Sequence, residues 1–312
     1  MSVGDKMRLF KDLYQYRELL KTNVKKEIRG KYKGSFLGVL WSFINPLLQV
    51  LVYAIVFPFI MRSSPDHFIV YLVIGIIPWN FFITCMNQGM ITVRMNAGII
   101  KKVYFPREIL PLSVTLSGLV NFFISCIVII LFCIFGGVGP LSWHVILVPI
   151  FAFIQFLFTS GLVFAFSAIN IYIKDTEYII QFFINLLFYA TPILYEATLL
   201  PERIRWVLYL NPLTHLIETY RDLFMYHTLP SLTSVGYLIF ITLIVLFIGY
   251  AIFKKLEKFF LESRLCRKNG TIIKREKGKK GYYMTDNWYL YKYNKDVRKV
   301  LQEYPNIYAF AD

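Results

Sequence analysis

Six long segments of this 312-residue chain contain no acidic residue, no basic residue and no histidine. They are 18 to 29 residues long and occupy residues 36–61, 68–86, 112–135, 145–173, 178–195 and 235–253. A helix needs roughly 20 apolar residues to cross a bilayer core about 30 Å thick. Only 17% of all residues are charged, compared with about 25% in soluble domains. The sequence therefore predicts an all-α membrane protein with six transmembrane helices.

Lysine and arginine are distributed unevenly among the hydrophilic segments that separate these spans. Thirty of the 34 lie in residues 1–35, 87–111, 174–177 and 254–312, and four lie in the alternate connections. Basic residues near span ends stay on the cytoplasmic side. The distribution therefore predicts that both termini are cytoplasmic, which an even number of spans also requires. Topology and attraction to anionic lipid headgroups account for the net charge of +15, so nucleic-acid binding is not expected.

The predicted spans lack the groups that would let this chain drive transport alone. Ion-coupled transporters need ionisable groups at membrane depth, and the six segments contain none. The sequence has no G-x-x-x-x-G-K-[ST] loop for ATP phosphates. Its four histidines show no catalytic or metal-ligand spacing, and its four cysteines no disulfide framework. We expect no catalytic residue, metal or cofactor on this chain, so active transport would need a separate ATPase.

Neutral polar side chains are scattered through the spans. They are Asn45, Gln49, Asn121, Ser125, Gln155, Thr159, Asn170, Gln181, Asn185 and Thr191. One interpretation is that they form hydrogen bonds between helices, each stabilising by about 0.6–2 kcal/mol. The other is that, with 29 Phe and 22 Tyr, they line a passage for sugars. The sequence leaves both interpretations open.

The N-terminal segment, residues 1–33, is predicted to form an amphipathic helix. Leu9, Leu13, Tyr16, Leu20 and Val24 recur at steps of three and four residues, which places them on one helix face. Such a helix lies in the inner membrane interface, with its apolar face among acyl chains.

Three glycines follow at intervals of four residues, at Gly30, Gly34 and Gly38. On one helix they would align on a single face and let another backbone approach closely. The spacing therefore predicts a helix-packing role for them.

The connection from residue 196 to residue 234 is about 39 residues long and still rich in apolar residues. It is predicted to form one or two short helices, separated at Asn211 and Pro212. These helices either re-enter the membrane before the last span or lie as an amphipathic pair on the outer surface. Irregular backbone at membrane depth is tolerated only beside protein or a water-filled cavity.

Residues 27–57 resemble the first-span signature of the ABC-type polysaccharide export permeases, which export O-antigen and wall teichoic acid. The matching positions are Tyr32, Lys33, Gly34, Ser35, Leu37, Gly38, Trp41 and Pro46. Residues 96–112, 173–178 and 211–221 resemble later blocks of the same family in the same order. The resemblance covers about residues 10–260.

In that family, the connection between spans two and three carries a coupling helix that docks on the ATPase. The resemblance implies that this contact is made here by Ile99, Ile100, Lys101, Lys102, Tyr104, Phe105, Pro106 and Arg107. Exposed apolar residues rimmed by charge are typical of a partner site. The alternative is that the stretch packs on the protein's own helices. Lys174 and Asp175, after span four, are implied as a second cytoplasmic contact.

The resemblance also implies a homodimer in a bacterial cell membrane, with two copies of a cytoplasmic ATPase that binds ATP and Mg²⁺. The implied cargo is a lipid-linked glycan or teichoic acid, moved from the inner to the outer leaflet. Arg29, Tyr32 and Lys33 lie where the lipid diphosphate would first meet the protein, and charge-assisted hydrogen bonds would stabilise it there. Ordinary positive-inside topology explains these charges equally well. An ABC-type exporter of small hydrophobic molecules is the alternative function.

The chain extends beyond the end that is usual in the family. Residues 34–260 form the predicted transmembrane domain. Residues 261–312 form a tail rich in basic and aromatic residues, which the sequence assigns to the cytoplasm without a fold.

Overall fold

The computed structural model describes residues 14–32, 36, 38–60, 67–100, 105–139, 142–265, 273–274, 281–284 and 291–292. The chain divides into two compact units, Met1–Phe253 and Lys254–Asp312.

The described residues of the first unit are helical apart from turns. The helices are α1 (Arg17–Tyr32), α2 (Trp41–Ile60), α3 (Phe68–Met95), α4 (Ala97–Ile100), α5 (Ile109–Phe135), α6 (Val148–Tyr172), α7 (Thr176–Tyr189), α8 (Glu202–Tyr209), α9 (Pro212–Arg221) and α10 (Leu232–Leu265), whose last residues belong to the second unit. Short 3₁₀ turns occupy Gly38–Leu40, Trp143–Leu147 and Ala197–Leu199, and one π-helical turn occupies Asp222–Tyr226.

The described residues of the second unit include three short strands, β1 (Ile273–Lys274), β2 (Gly281–Met284) and β3 (Tyr291–Lys292). They pair in the order β1-β2-β3, and both pairs are antiparallel. Ile273 pairs with Met284, and Tyr282 pairs with Tyr291.

Four helical stretches in the described residues are long and apolar enough to cross a membrane. They are Phe68–Ile100, Ile109–Phe135, Trp143–Tyr172 and Leu232–Glu257. The segment around α2 contributes a shorter apolar stretch, Phe43–Phe57. The structure thus supports a helical membrane protein and gives four of the six predicted spans as long helices.

The fifth apolar segment, residues 178–195, does not form one long helix. α7 ends at Tyr189 after 14 residues, and the chain then turns. Pro192 follows shortly, and a proline disfavours helical geometry in the residue before it. At a rise of 1.5 Å per residue, α7 is about 21 Å long, which is less than the bilayer core of about 30 Å.

α3 lies at the centre of the first unit. In its most apolar 18-residue window 72% of the residues are buried, against 17% in the corresponding window of α10. Trp79, Phe82 and Met86 of α3 belong to the main core cluster. α10 therefore lies at the periphery, where most of its apolar surface remains available to lipid.

Candidate functional site

A cavity of about 470 Å³ lies between α2, α3 and α5. Its polar lining consists of Asn45 and Gln49 on α2, Asn80, Thr84 and Gln88 on α3, and Asn121 and Ser125 on α5. On each helix these side chains are four residues apart, which puts them on one face. Trp41, Phe81 and Phe122 add aromatic surface. Within the part of the chain that the structure describes, no charged side chain lines the cavity.

The amides around this cavity keep hydrogen-bonding capacity free. Asn80 donates from Nδ2 to Gln49 Oε1 over 3.2 Å, and Gln49 donates from Nε2 to the Tyr53 hydroxyl over 3.4 Å. Both amide atoms of Asn121 are buried and have no hydrogen-bond partner among the described residues. An unsatisfied buried polar group costs about 1–3 kcal/mol. A ligand with neutral hydroxyl groups could supply the missing partners without bringing a charge to membrane depth.

Other polar residues of the spans hold the protein together. Gln155 donates from Nε2 to the Pro78 carbonyl over 2.9 Å and accepts from the Tyr220 hydroxyl over 2.9 Å. Asn170 donates to the Met90 carbonyl over 3.0 Å. The hydrogen-bonding interpretation is therefore confirmed for Gln155 and Asn170, and the sugar passage stays a prediction for the residues that line the cavity.

Sequence reasoning missed three lining residues, Asn80, Thr84 and Gln88. Their spacing is a usable signal, because residues at i, i+4 and i+8 share one helix face. Asn121 and Ser125 show the same four-residue step on α5. A search for polar pairs at this step would have found the cavity face of α3.

The expected coupling segment is only partly exposed. Ile99 on α4 is 49% exposed, whereas Phe105 is 8% and Arg107 is 7% exposed. Lys101, Lys102 and Tyr104 lie outside the described residues, and Ile100 and Pro106 are partly buried. The expectation that Phe105 presents apolar surface was therefore wrong for the single chain, while Ile99 does present it.

Phe105 is buried because the N-terminal helix covers it. Phe105, Ile109 and Leu110 form a small core cluster, against which Tyr16, Leu19, Leu20 and Ile100 pack. Part of the apolar face of α1 therefore contacts protein, whereas the sequence predicted that it lies among acyl chains. The predicted stripe residues Leu9 and Leu13 lie outside the described part of the chain.

The residues predicted to meet the lipid diphosphate lie near the end of α1. Arg29 is exposed on that helix, and Tyr32 is its last residue. Lys33 lies outside the described residues.

The predicted glycine alignment is not found. Gly30 belongs to α1, whereas Gly38 begins a 3₁₀ turn with a φ of 48°. A Cβ built on either residue meets no atom within 4 Å, so no described helix of this chain packs closely there. Gly34 lies outside the described residues. The predicted alignment on one helix is wrong because α1 ends at Tyr32 and the described residue Phe36 forms a bend.

The turn between α6 and α7 presents Lys174 and Asp175. Both side chains are exposed. The Asp175 side chain forms no capping hydrogen bond to α7, so a partner can reach it.

Asn211 and Pro212 separate two short helices, α8 and α9, at the position that the sequence predicted. Asn211 accepts from the backbone N–H of Leu213 over 3.0 Å and donates from Nδ2 to Thr191 Oγ1 over 2.8 Å. Pro212 occupies the first position of α9, where its missing N–H removes no helical bond. The pair therefore starts α9 and ties it to the chain after α7.

Arg221, the last residue of α9, also binds the chain that follows α7. Its guanidinium donates to the carbonyl of Pro192 over 2.7 Å and to that of Ile193 over 3.0 Å. The guanidinium carbon lies 3.4 Å from the centroid of the Tyr71 ring. Arg221 is 3% exposed, so these contacts replace part of its hydration, while its buried Nε has no hydrogen-bond partner among the described residues.

A second cavity, of about 450 Å³, lies beside Arg221. Glu196, Glu218 and Asp222 line it together with Tyr209. Burial raises the pKa of Asp222 to about 6, and the nearby Glu218 carboxylate adds to the rise. Burial also raises the pKa of Glu218, although a hydrogen bond from the Tyr209 hydroxyl opposes the change. This cavity is acidic, in contrast to the neutral one between α2, α3 and α5.

Comparison with known proteins finds relatives that are similar to most of this chain. The O-antigen export system permease protein RfbA of Myxococcus xanthus is 36% identical over 259 residues, which cover 82% of this chain and 99% of that protein. Its namesake from Klebsiella pneumoniae is 37% identical over 246 residues, or 78% and 94% of the two chains. The polysialic acid transport protein KpsM of Escherichia coli is 24% identical over 241 residues, or 76% and 93%.

A family model extends over most of the first unit. It is the model of the ABC-2 type transporter, and it matches residues 18–225, from the start of α1 to the π-helical turn. The chain therefore belongs to the ABC-2 type transporter family.

Proposed function

We propose that this chain is the membrane permease subunit of an ATP-driven exporter, which moves a lipid-linked polysaccharide from the cytoplasmic to the outer leaflet of a bacterial cell membrane. The observation that carries the proposal is the cavity lined by carboxamides between α2, α3 and α5. Neutral donors and acceptors beside aromatic rings suit a hydroxyl-rich cargo. The relatives named for O-antigen export and polysialic acid transport support the same cargo class. A teichoic acid would meet the same hydroxyl-binding groups through its polyol units.

The assembly that we propose is a homodimer with two copies of a separate ATPase, which holds ATP and Mg²⁺. Each subunit crosses the membrane six times, and both termini lie in the cytoplasm. The two crossings besides the four long helices are made by α2 and by α7 together with the turn that follows it. α8 and α9 re-enter the membrane from the outer side. There the Asn211 cap satisfies a backbone N–H of α9, and Arg221 satisfies the carbonyls of Pro192 and Ile193 after α7. Arg29, Tyr32 and Lys33 meet the lipid diphosphate at the inner leaflet.

Depletion of this chain in its host cell tests the function. We expect lipid-linked glycan to accumulate inside the cell and surface glycan, labelled by periodate and hydrazide, to fall. Wild-type chain should restore it, but not when the partner ATPase lacks its Walker lysine. Unchanged surface glycan together with greater retention of a hydrophobic dye would instead favour an exporter of small hydrophobic molecules.

Ile99 tests the contact with the ATPase. We expect Ile99→Asp to lower recovery of the ATPase with the tagged permease at least about tenfold, because a hot-spot residue at the centre of an interface contributes about 2 kcal/mol or more. The measurement is co-purification from membranes. Phe105→Asp is less informative, since it would also disrupt the cluster with Ile109 and Leu110.

Leu199→Asp is the matched control for Ile99→Asp. Leu199 is 52% exposed but lies in the connection before α8. It should leave ATPase recovery unchanged. Equal recovery with Ile99→Asp and Leu199→Asp would contradict the proposed contact.

A further inference from the structure

Arg94, near the end of α3, connects three helices. Its Nη2 lies 2.7 Å from Glu177 Oε2 in the first turn of α7, and the two side chains are 26% and 34% exposed. Its Nη1 donates to Asn170 Oδ1 on α6 over 3.3 Å. Asn170 in turn donates to the Met90 carbonyl of α3 over 3.0 Å. This set of contacts, the Arg94 network, fixes the guanidinium from two sides.

The Arg94 network lies directly beside α4, the segment proposed to meet the ATPase. Ala97 begins α4 three residues after Arg94. Backbone hydrogen bonds continue across the junction, from Asn96 N to Thr92 O over 3.1 Å and from Ile100 N to Asn96 O over 3.1 Å. Because these bonds couple α4 to the last turns of α3, a displacement of α4 carries Arg94 with it.

α7, which bears Glu177, packs on the rest of the first unit along one side of the helix. Its buried residues are Thr176, Ile184 and Phe188, and Ile180 and Leu187 are partly buried against the core. Most of its remaining surface is exposed, including the Gln181 and Asn185 amides. A helix packed along so few residues can pivot at little cost in buried apolar area. An ion pair at its first turn is then well placed to set its orientation.

We propose that Arg94 and Glu177 are positioning residues that transmit the movement of α4 to α7 during the ATPase cycle. The proposal rests on the proposed function as an ATP-driven exporter. It adds the contacts through which movement at the ATPase contact reaches α7. A pair screened from solvent on most of its surface keeps more of its electrostatic interaction than an exposed pair does. The Asn170 contact restricts the guanidinium, so that movement of α3 is passed on to α7 through the ion pair.

Charge reversal tests the route in the complete permease–ATPase complex. Arg94→Glu and Glu177→Arg should each lower surface glycan at least about fivefold, the lower end of typical coupling between sites. The ATPase should still co-purify and hydrolyse ATP. The double variant, which restores opposite charges, should recover export to within about threefold of wild type. The decisive readout is surface glycan exported per ATP hydrolysed by the complex.

Glu18 and Lys21 provide the control. They form an ion pair of 2.9 Å within α1, with side chains 74% and 65% exposed. Reversing either charge should leave the ratio unchanged. Wild-type export by the Arg94 and Glu177 single variants, or a double variant as defective as they are, would overturn the proposal. Loss of ATPase recovery in the single variants would also overturn it, since the pair would then act at the docking surface.

A milder substitution covers the case in which reversed charges prevent insertion. Glu177→Gln keeps the shape of the side chain and removes only its charge. We expect it to lower the export ratio with an unchanged thermal midpoint, and an unchanged ratio would overturn the proposal. Failure of the function itself would be recognised separately, because depletion of the wild-type chain would then leave surface glycan unaltered.

Discussion

Arg221→Ala is expected to destabilise the protein by about 3–5 kcal/mol, because two buried carbonyls and a buried aromatic ring lose the charged group that binds them. The substitution leaves the carbonyls of Pro192 and Ile193 without their donor. Each unsatisfied buried group costs about 1–3 kcal/mol. It also removes the cation–π contact with Tyr71, which is worth about 2 kcal/mol when desolvated. Relief of the cost of burying the guanidinium limits the total. The measurement is the midpoint of thermal unfolding in detergent micelles.

Arg205 offers a matched control for Arg221. Its Nη2 also donates to two carbonyls, of Thr198 over 3.2 Å and Leu200 over 3.1 Å. Arg205 is only partly buried, so water can replace the lost donor and Arg205→Ala should cost no more than about 1 kcal/mol. Arg221→Lys should fall in between, because an ammonium group lacks the planar fork that reaches two acceptors. Equal midpoints for Arg221→Ala and Arg205→Ala would contradict the assigned role.

Gly249→Leu is expected to separate α10 from α6. A Cβ at Gly249 would overlap the carbonyl oxygen of Gly161, and a Cβ at Gly161 would lie 2.7 Å from Leu246 Cα. Both obstacles are backbone atoms, so no change of rotamer relieves them. Overpacking in a tight interior costs about 1–3 kcal/mol and sometimes more. We expect Gly249→Leu to destabilise the protein by about 3 kcal/mol or more. The measurements are a lower thermal midpoint and faster amide hydrogen exchange along α10.

Gly236 is the control on the same helix. A Cβ at Gly236 meets no atom within 4 Å. Gly236→Leu should therefore leave the free energy of unfolding unchanged or raise it by up to about 1 kcal/mol, because Leu favours a helix more than Gly does. Gly249→Ala should already be destabilising, though less than Gly249→Leu. A Gly249→Leu variant as stable as Gly236→Leu would show that α6 and α10 do not pack at this contact.

The glycines show that the sequence did not predict which helices pack closely together. The packing prediction was made for the evenly spaced Gly30, Gly34 and Gly38. Among the described glycines, however, the close contact between two helix backbones is that of Gly161 with Gly249. These two glycines are 88 positions apart in the sequence and belong to no repeated motif. Spacing within one helix cannot indicate which other helix faces it.

Phe105 shows that the sequence also does not reveal which apolar segments cover each other. The sequence correctly indicated an apolar stripe on the N-terminal segment and apolar residues in the connection between α3 and α5. It did not pair them with each other. In the structure, Tyr16, Leu19 and Leu20 pack on the cluster that contains Phe105, and Ile99 remains the exposed apolar residue of α4.

The sequence by itself determined that this is a helical membrane protein, and it located the long helices. Backbone polar groups have no other partner in hydrocarbon, so a long uncharged apolar segment must satisfy them within a helix. Only the tertiary structure decided which amides line the cavity, such as Asn121, and which bind helices together, such as Gln155. Lipid is as apolar as a protein interior, so hydrophobicity does not distinguish the buried face of a span from its lipid-facing side. Helix packing makes that distinction.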